Sequence, residues 1–210
     1  MSEYTDELIF KSAKSALPAA LWEISERCRE KGVPTMLLSG LNELCLAVKI
    51  KNPARVLELG TALGVSGTAM LLSCDCMLTT VEKNVDSVLA AEETFKKFGV
   101  FKRVTQLTGD TLETVKKIAD EKFDFIFLDC NKAAYPLVYE YLKNMLNAGG
   151  VLLADNVLFR GYVEGAKETP KIYRTLVQKI DRFNQLVAND EDMITTVLNV
   201  GDGLLIAVKK

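Results

Sequence analysis

Short runs of apolar residues alternate with amphipathic stretches along most of the chain. Five of these runs have four to six residues, and the stretches between them carry hydrophobic residues at helical spacing. Because a strand buried on both faces is almost continuously apolar, this rhythm predicts a doubly wound, mostly parallel α/β sheet with helices on both faces. The predicted strands are Val56–Leu59, Met77–Val81, Val104–Leu107, Phe123–Leu128 and Val151–Ala154.

The last 40 or so residues show a different pattern. Thr169-Pro170 predicts the start of a helix to about Ala188, because proline is well tolerated at the first helical position. Residues 193–198 and 204–208 flank a Gly-Asp-Gly turn, which predicts an antiparallel hairpin at the sheet edge. The sheet would then have seven strands. The predicted buried positions of the helix are Ile172, Leu176, Ile180 and Phe183.

Helical spacing also dominates the first 50 residues. It predicts two helices within residues 4–32 and a third at 39–50, with residues 33–36 extended because Pro34 disfavours helix before it. These residues would form an N-terminal helical cap, residues 1–50, on a single domain that spans residues 1–210. Further helices are predicted at 86–98, 111–122 and 135–146, the last closed by residues 147–150.

The glycine-rich stretch at residues 56–67 organises the sheet. A strand, a glycine-rich turn and a helix together present backbone N–H groups to a ligand. Ala62 stands where a dinucleotide fingerprint has its second glycine, and no lysine ends the turn as in a P-loop. Glu58 would repel phosphates and suit a cationic ligand such as S-adenosylmethionine. A turn that serves packing alone is the alternative.

Composition narrows the possible classes of protein. The 210 residues include no histidine, which excludes the usual Ser-His-Asp and Cys-His sites and imidazole metal ligands. Any metal would therefore be held by oxygen. The five cysteines are an odd number without a paired framework, which indicates a reducing, cytoplasmic setting. Neither a signal peptide nor an apolar run long enough to span a membrane is expected.

Four of the predicted strands end in acidic residues. They are Glu58, Glu82, Asp129 and Asp155, and Asp110 follows the remaining strand. Ligands of open parallel sheets bind outside the carboxyl ends of the strands, so these acids should share one edge. Glu82 comes 22 residues after Gly60 (82 − 60), near the position from which an acid binds a ribose diol. This pairing predicts a cofactor that contains a nucleoside.

Three oxygen donors are predicted to hold a metal ion. Asp129, Asp155 and Asn156 end two neighbouring strands, and Mg²⁺ accepts one or two carboxylates while keeping water and substrate oxygens. Lys132 lies near enough to serve as a general base. The alternatives are an Asx turn at Asp155-Asn156 and an ordinary solvated lysine.

With these motifs, the chain resembles the metal-dependent class I O-methyltransferases, which include catechol and caffeoyl-CoA O-methyltransferases. The resemblance covers roughly residues 33–210 and implies a Rossmann-like methyltransferase fold. It rests on the motifs 58–66, 81–82, 109–110, 128–135 and 155–158. It implies S-adenosylmethionine as cofactor, Mg²⁺ as metal, and Lys132 as base beside Asp129. The implied cofactor residues are Met36, Glu58, Gly60, Thr61, Ser66, Glu82, Asp110, Thr111 and Asp129, and the implied metal ligands are Asp129, Asp155 and Asn156.

Among subgroups, the chain is most similar to bacterial tRNA 5-hydroxyuridine methyltransferases, through residues 155–161 and 200–204. The resemblance implies tRNA as acceptor and a homodimer. Lys171, Arg174 and Arg182 share one helical face, which suits a phosphate backbone, although a solvated face is the alternative. A small catechol-like acceptor also stays open. Two alternatives from other functional classes are that the protein is a nicotinamide-dependent oxidoreductase or a noncatalytic tRNA-binding module.

Overall fold

A seven-stranded sheet forms the centre of the protein, with the strand order β3-β2-β1-β4-β5-β7-β6. The structure is a computed structural model that describes residues 4, 7–8, 11–12, 17–30, 36 and 38–210. The strands are β1 Arg55–Leu59, β2 Met77–Glu82, β3 Val104–Thr108, β4 Phe123–Leu128, β5 Leu146–Asp155, β6 Met193–Leu198 and β7 Leu204–Lys209. The α-helices are α1 Ala19–Glu30, α2 Leu38–Lys51, α3 Val65–Ser73, α4 Val85–Lys97, α5 Thr111–Lys117, α6 Tyr135–Met145 and α7 Arg174–Ala188.

The strand directions confirm the predicted architecture. Strands β1 to β5 pair in parallel, whereas β7 lies antiparallel between β5 and β6. The chain crosses from β1 outward to β2 and β3, and then returns to place β4 on the other side of β1. In sheets of this kind, the crevice at this change of direction is where ligands bind.

Alternate side chains of the central strands enter two separate cores. Val56 and Phe127 pack on the face that α1, α2, α3 and α4 cover, whereas Leu57 and Ile126 pack on the face that α5, α6 and α7 cover. Successive strand residues point to opposite faces, so both faces of β1 and β4 are apolar. This explains why their sequences are runs of hydrophobic residues rather than alternating ones.

Two helix predictions were wrong at one end. The helix predicted at 111–122 ends at Lys117. The residues predicted to close the following helix, 147–150, belong instead to β5, which begins at Leu146. The pairing of β4 with β5 shifts register between Phe123 and Phe125, and this irregularity accommodates the Gly149-Gly150 pair inside the strand.

The prediction that Ile172 is buried was also wrong, since its exposed fraction is 82%. Residues Lys171–Tyr173 form a 3₁₀ turn, and the α-helix begins only at Arg174. A 3₁₀ turn has about three residues per turn. The spacing that buries Ile180 and Phe183 therefore does not extend back to Ile172.

The described N-terminal residues agree with the predicted helices. Helix α1 matches the second helix predicted within residues 4–32, and α2 matches the helix predicted at 39–50. Most of the first predicted helix and of the extended segment at 33–36 lies outside the described residues. In the part of the chain that is described, helices long and apolar enough to cross a membrane are absent.

Candidate active site

The turn between β1 and α3 passes very close to the end of β4. Gly60 has a φ of +107°, a conformation that favours glycine, and its N–H donates to the carbonyl oxygen of Val81 at 3.0 Å. A Cβ atom at Gly60 would lie 2.2 Å from the carbonyl oxygen of Asp129. The glycine therefore allows the backbones after β1 and β4 to meet at the predicted crevice.

Glu58 lies beneath this turn rather than in the crevice. Its side chain is fully buried and accepts hydrogen bonds from Ser66 Oγ at 2.5 Å and Thr80 Oγ1 at 2.6 Å. Because the Thr80 hydroxyl donates to Glu58, the 2.5 Å contact between Thr80 and Thr61 uses the Thr61 hydroxyl as donor. Burial is the main reason why the pKa of Glu58 rises to about 7. Glu58 thus fixes the turn, and its direct contact with a cofactor stays a prediction.

Glu82 is held in place by three backbone N–H groups. One carboxylate oxygen accepts from Lys83 and Asn84 at 2.9 Å each, and the other accepts from Ala62 at 3.1 Å. Two of these donors lie after β2 and the third lies in the glycine-rich turn. The carboxylate is therefore oriented before any ligand binds.

A cleft of about 440 Å³ lies along the carboxyl ends of the strands. Nine of the predicted site residues line it: Met36, Gly60, Thr61, Ser66, Glu82, Asp110, Thr111, Asp129 and Lys132. Glu58, Asp155 and Asn156 do not. The cleft has the size expected for a small-molecule or cofactor site.

Sequence reasoning missed several residues of the cleft, among them Lys83, Ser87 and Cys130. Lys83 follows Glu82 directly and Cys130 follows Asp129, so their positions beside predicted ligand groups were the available signal. Cys130 and Thr111 interact through their side chains, and burial raises the pKa of the Cys130 thiol to about 12. One carboxylate oxygen of Asp110 already accepts hydrogen bonds from the N–H groups of Leu112 and Glu113 at the start of α5.

Asp129 and Lys132 form an ion pair at the wall of the cleft. Lys132 Nζ lies 2.7 Å from Asp129 Oδ1, and each side chain is 21% exposed. Both belong to the turn between β4 and α6, which Asn131 stabilises by accepting from the N–H of Ala133. A carboxylate and an amine that can exchange a proton with a ligand therefore lie together.

Asp155 lies near this pair but is almost entirely buried, with an exposed fraction of 4%. Its carboxylate accepts from the N–H of Asn156 at 2.7 Å, and Asn156 has a left-handed φ of +58°. Burial, followed by repulsion from Asp129, raises the pKa of Asp155 to about 7, while Lys132 opposes the shift. The structure thus brings Asp155 within electrostatic reach of Asp129.

The hydroxyl of Tyr135 lies between the ends of β4 and β5. It is 3.0 Å from the carbonyl oxygen of Leu128 and 3.1 Å from that of Asp155. This shared donor keeps the two acid-bearing strand ends adjacent.

Among the described residues, groups of three or more histidine, cysteine, aspartate or glutamate side chains suited to a metal are absent. The predicted metal ligands are two aspartates and one asparagine, so only two of the three belong to these residue types.

The basic face predicted before α7 and along it is open to solvent. Lys171, Arg174 and Arg182 are exposed, and carboxylates of the described residues do not lie within ion-pair distance of them. By contrast, Lys143 on α6 pairs with both Asp190 and Asp192. The basic face is therefore available to a partner.

Comparison with known proteins gives consistent matches over nearly the whole chain. Residues 11–210 match the sequence model of the O-methyltransferase family. An Arabidopsis thaliana protein that carries the name of a caffeoyl-CoA O-methyltransferase is 29% identical over 166 residues, which cover 77% of this chain and 72% of that protein.

Two solved structures have the same fold and hold a ligand. The Bacillus cereus O-methyltransferase in complex with S-adenosylhomocysteine is 26% identical, with a TM-score of 0.80 and 92% of each chain covered. A Podospora anserina methyltransferase bound to S-adenosylhomocysteine is 26% identical, with a TM-score of 0.82, and the match covers 100% of this chain and 97% of that one.

Proposed function

Because this chain belongs to the O-methyltransferase family, we propose that it transfers the methyl group of S-adenosylmethionine to a hydroxyl that has a vicinal oxygen, with 5-hydroxyuridine at the tRNA wobble position as acceptor. The observation that carries this proposal is the cleft, which has the fixed Glu82 carboxylate at one part of its wall and the Asp129–Lys132 pair at another. The solved relatives with bound S-adenosylhomocysteine support the choice of cofactor.

We assign each part of the cofactor to a different part of the cleft. Oε2 of Glu82 accepts only one backbone hydrogen bond and retains a lone pair for a ribose hydroxyl, while the three N–H groups hold the carboxylate still. The Gly60–Ser66 turn would contact the methionine part, and Asp110 with Thr111 would border the adenine. A positioned cofactor contributes to rate because the methyl group is already aligned for attack.

Asp129, Asp155 and Asn156 are the residues that would hold magnesium. Two carboxylates and an amide oxygen are hard donors of the kind that Mg²⁺ accepts, and repulsion between the two acids would be relieved by a divalent cation. When bound, the ion would lower the pKa of the acceptor hydroxyl and orient its two adjacent oxygens.

In this proposal, Lys132 takes the acceptor proton. Its amine lies at the cleft wall and is held by Asp129 at 2.7 Å. In the transfer, the acceptor oxygen forms a bond to the methyl carbon as the bond from carbon to sulfur breaks. S-adenosylhomocysteine leaves, and the proton of the hydroxyl goes to the neutral amine of Lys132, which thereby becomes the ammonium that pairs with Asp129.

The proposal includes a homodimer in a reducing cytoplasm. Cys45, Cys74, Cys76 and Cys130 are free thiols in the described part of the chain, which supports such a location. The oligomeric state follows from the resemblance alone.

Methyl transfer from labelled S-adenosylmethionine tests the function. Purified protein with Mg²⁺ should label tRNA that carries 5-hydroxyuridine, and fully modified tRNA or tRNA without that base should stay unlabelled. If small catechols are methylated with a higher kcat/KM than tRNA, the proposed acceptor is wrong but the proposed reaction stands. If neither acceptor is labelled and calorimetry detects binding of NAD but not of S-adenosylhomocysteine, the proposed reaction is wrong.

Glu82→Gln should weaken S-adenosylhomocysteine binding by about 1.5–3 kcal/mol, the usual contribution of hydrogen bonds to a charged group. The amide nitrogen of glutamine cannot accept, so one backbone N–H would face another donor and the side chain would lose its orientation. Isothermal titration calorimetry measures the change. Glu121→Gln, which removes a charge beside Arg55 at the opposite edge of the sheet, is the matched control and should bind as the wild type does. If the two variants bind S-adenosylhomocysteine with equal affinity, the proposed contact between Glu82 and the ribose is wrong.

Reversing Lys171 and Arg174 to glutamate should weaken tRNA binding and reduce the salt dependence by roughly one unit of slope for each lost phosphate contact. Both side chains are exposed and without acidic partners in the described chain, so the fold should be unchanged. Binding is measured at several salt concentrations. Lys116→Glu with Lys96→Glu is the control, since both lysines lie on other helices and pair with neighbouring glutamates. If the salt dependence of tRNA binding has the same slope for the two double variants, the basic face does not contact tRNA.

A further inference from the structure

The loop between α3 and β2 holds two thiols on the same side of the chain. Cys74 is half-buried and extended, with φ −150° and ψ 168°, while Cys76 is buried. The side chain of Asp75 between them is fully exposed. The burial of the two cysteines and the exposure of Asp75 indicate that both cysteines face inward and the aspartate faces solvent.

Arg103 fixes the shape of this loop. Its guanidinium donates to the carbonyl oxygens of Cys74 at 2.9 Å and Cys76 at 3.3 Å, and also to that of Leu71 at 2.7 Å. It also faces Asp75 at 3.7 Å. Arginine stays charged at any pH in the protein, so a permanent cation lies beside the two thiols.

The thiols are electronically unequal. A hydrogen bond with Cys76, followed by the positive charges of Arg103 and Lys49, lowers the pKa of the Cys74 thiol. The same hydrogen bond raises the pKa of Cys76. Burial instead raises the pKa of Cys45. A cysteine that is partly accessible and lies beside a cation has the features of a reactive thiolate.

We propose that Cys74 and Cys76 are a redox-active pair of thiols that hydrogen peroxide or a related hydroperoxide converts to a disulfide. The Cys74 thiolate attacks the peroxide, forming a sulfenic acid and releasing hydroxide. The Cys76 sulfur then displaces the sulfenic hydroxyl, and water leaves as the disulfide forms. The accessible cysteine meets the oxidant, and the buried cysteine resolves the sulfenic acid from within.

The spacing of the two cysteines suits this bond. Disulfides join residues whose Cα atoms are about 4.4–6.8 Å apart. Consecutive Cα atoms are about 3.8 Å apart, so two residues with one between them lie near this range, and the loop bends at residues 74 and 75 rather than forming a straight strand. The bond would join the end of α3 to the segment before β2, the two elements whose other ends carry Ser66 and Glu82. The proposal does not depend on the identity of the methyl acceptor.

Peptide mapping of the wild-type protein tests the pair directly. Trypsin leaves Cys74 and Cys76 on one peptide, residues 56–83, whereas each remaining cysteine falls on a different peptide. After treatment with hydrogen peroxide and alkylation, this peptide should lack both alkyl groups and two hydrogen atoms. Without peroxide, Cys74 should be alkylated at least about tenfold faster than Cys130 at neutral pH.

Cys76→Ser should stop the reaction at the sulfenic acid of Cys74, which dimedone traps. Cys130→Ser is the matched control and should form the disulfide at the wild-type rate. Recovery of peptide 56–83 with both cysteines alkylated, under conditions that oxidise glutathione, would overturn the proposal. A disulfide between this peptide and any other peptide would overturn it as well. The wild-type map decides the question even if a variant fails to fold.

Discussion

Gly60→Ala is expected to lower the free energy of unfolding by about 3 kcal/mol or more and to abolish binding of S-adenosylhomocysteine. The new Cβ would lie 2.2 Å from the carbonyl oxygen of Asp129 and 2.7 Å from its carbon. These are backbone atoms that cannot rotate away, so the turn after β1 or the end of β4 must move. Either movement displaces a wall of the cleft. Urea denaturation and calorimetry measure the two effects.

Gly99→Ala separates the collision from the backbone conformation. Gly99 also has a left-handed φ, +70°, but a Cβ there meets nothing within 4 Å. We expect a loss of about 1 kcal/mol and unchanged ligand affinity, since only the cost of the conformation remains. If the two variants behaved alike, the close approach between Gly60 and Asp129 would not matter to the site.

Asp155→Asn is expected to reduce methyl transfer by several orders of magnitude while S-adenosylhomocysteine binds within about twofold of the wild type. Asp155 does not line the cleft but lies close enough to Asp129 to be repelled by it. Excess chelator should have the same effect on the wild-type protein. Initial rates with Mg²⁺ and calorimetry measure the two quantities.

Asp124→Asn makes the same chemical change at the opposite edge of the sheet. Asp124 accepts from the N–H groups of Ala54 and Arg55, so its loss should reduce stability but leave methyl transfer intact. Full activity of Asp155→Asn, or of the wild type in chelator, would reject the proposed metal set.

Asp155→Asn should also change how the free energy of unfolding depends on pH in the absence of metal. The folded-state pKa of Asp155 is raised from 3.8 to about 7, so between these values the folded state binds more protons than the unfolded state. The contribution of Asp155 to the free energy of unfolding therefore falls as the pH rises from about 4 to about 7. Asp155→Asn should lack this decline, whereas Glu58 retains its own in both proteins. Denaturation at pH 5 and pH 8 measures the difference.

The sheet was predictable because its central strands are apolar on both faces. The carboxyl ends of parallel strands meet at one edge, so the neighbourhood of Gly60, Glu82 and Asp129 followed from the order of elements alone. The order of elements did not show where each strand residue lies relative to that edge. Glu58 comes one residue before the end of β1, on the face covered by α3, and only the packed helix shows that its carboxylate is enclosed.

Interactions between distant residues account for the other differences. The inclusion of Gly149-Gly150 in β5 depends on a register irregularity opposite β4, which local sequence does not specify. Ile172 has helical spacing to Leu176 and Ile180, yet the 3₁₀ turn before α7 places it in solvent. Lys83 and Cys130 stand beside predicted site residues in the sequence, but the fold was needed to show that both line the same cleft.

The turns after β1 and β4 have a consequence for recombination between relatives. The N–H of Asp129 donates to the carbonyl oxygen of Leu59 at 2.9 Å, and Gly60 has no room for a side chain against Asp129. A chimera that inherits these two turns from different parents must match two backbones that touch. Crossovers between the turns should therefore be rare among functional hybrids. Parents that share both turns should exchange the intervening helices freely.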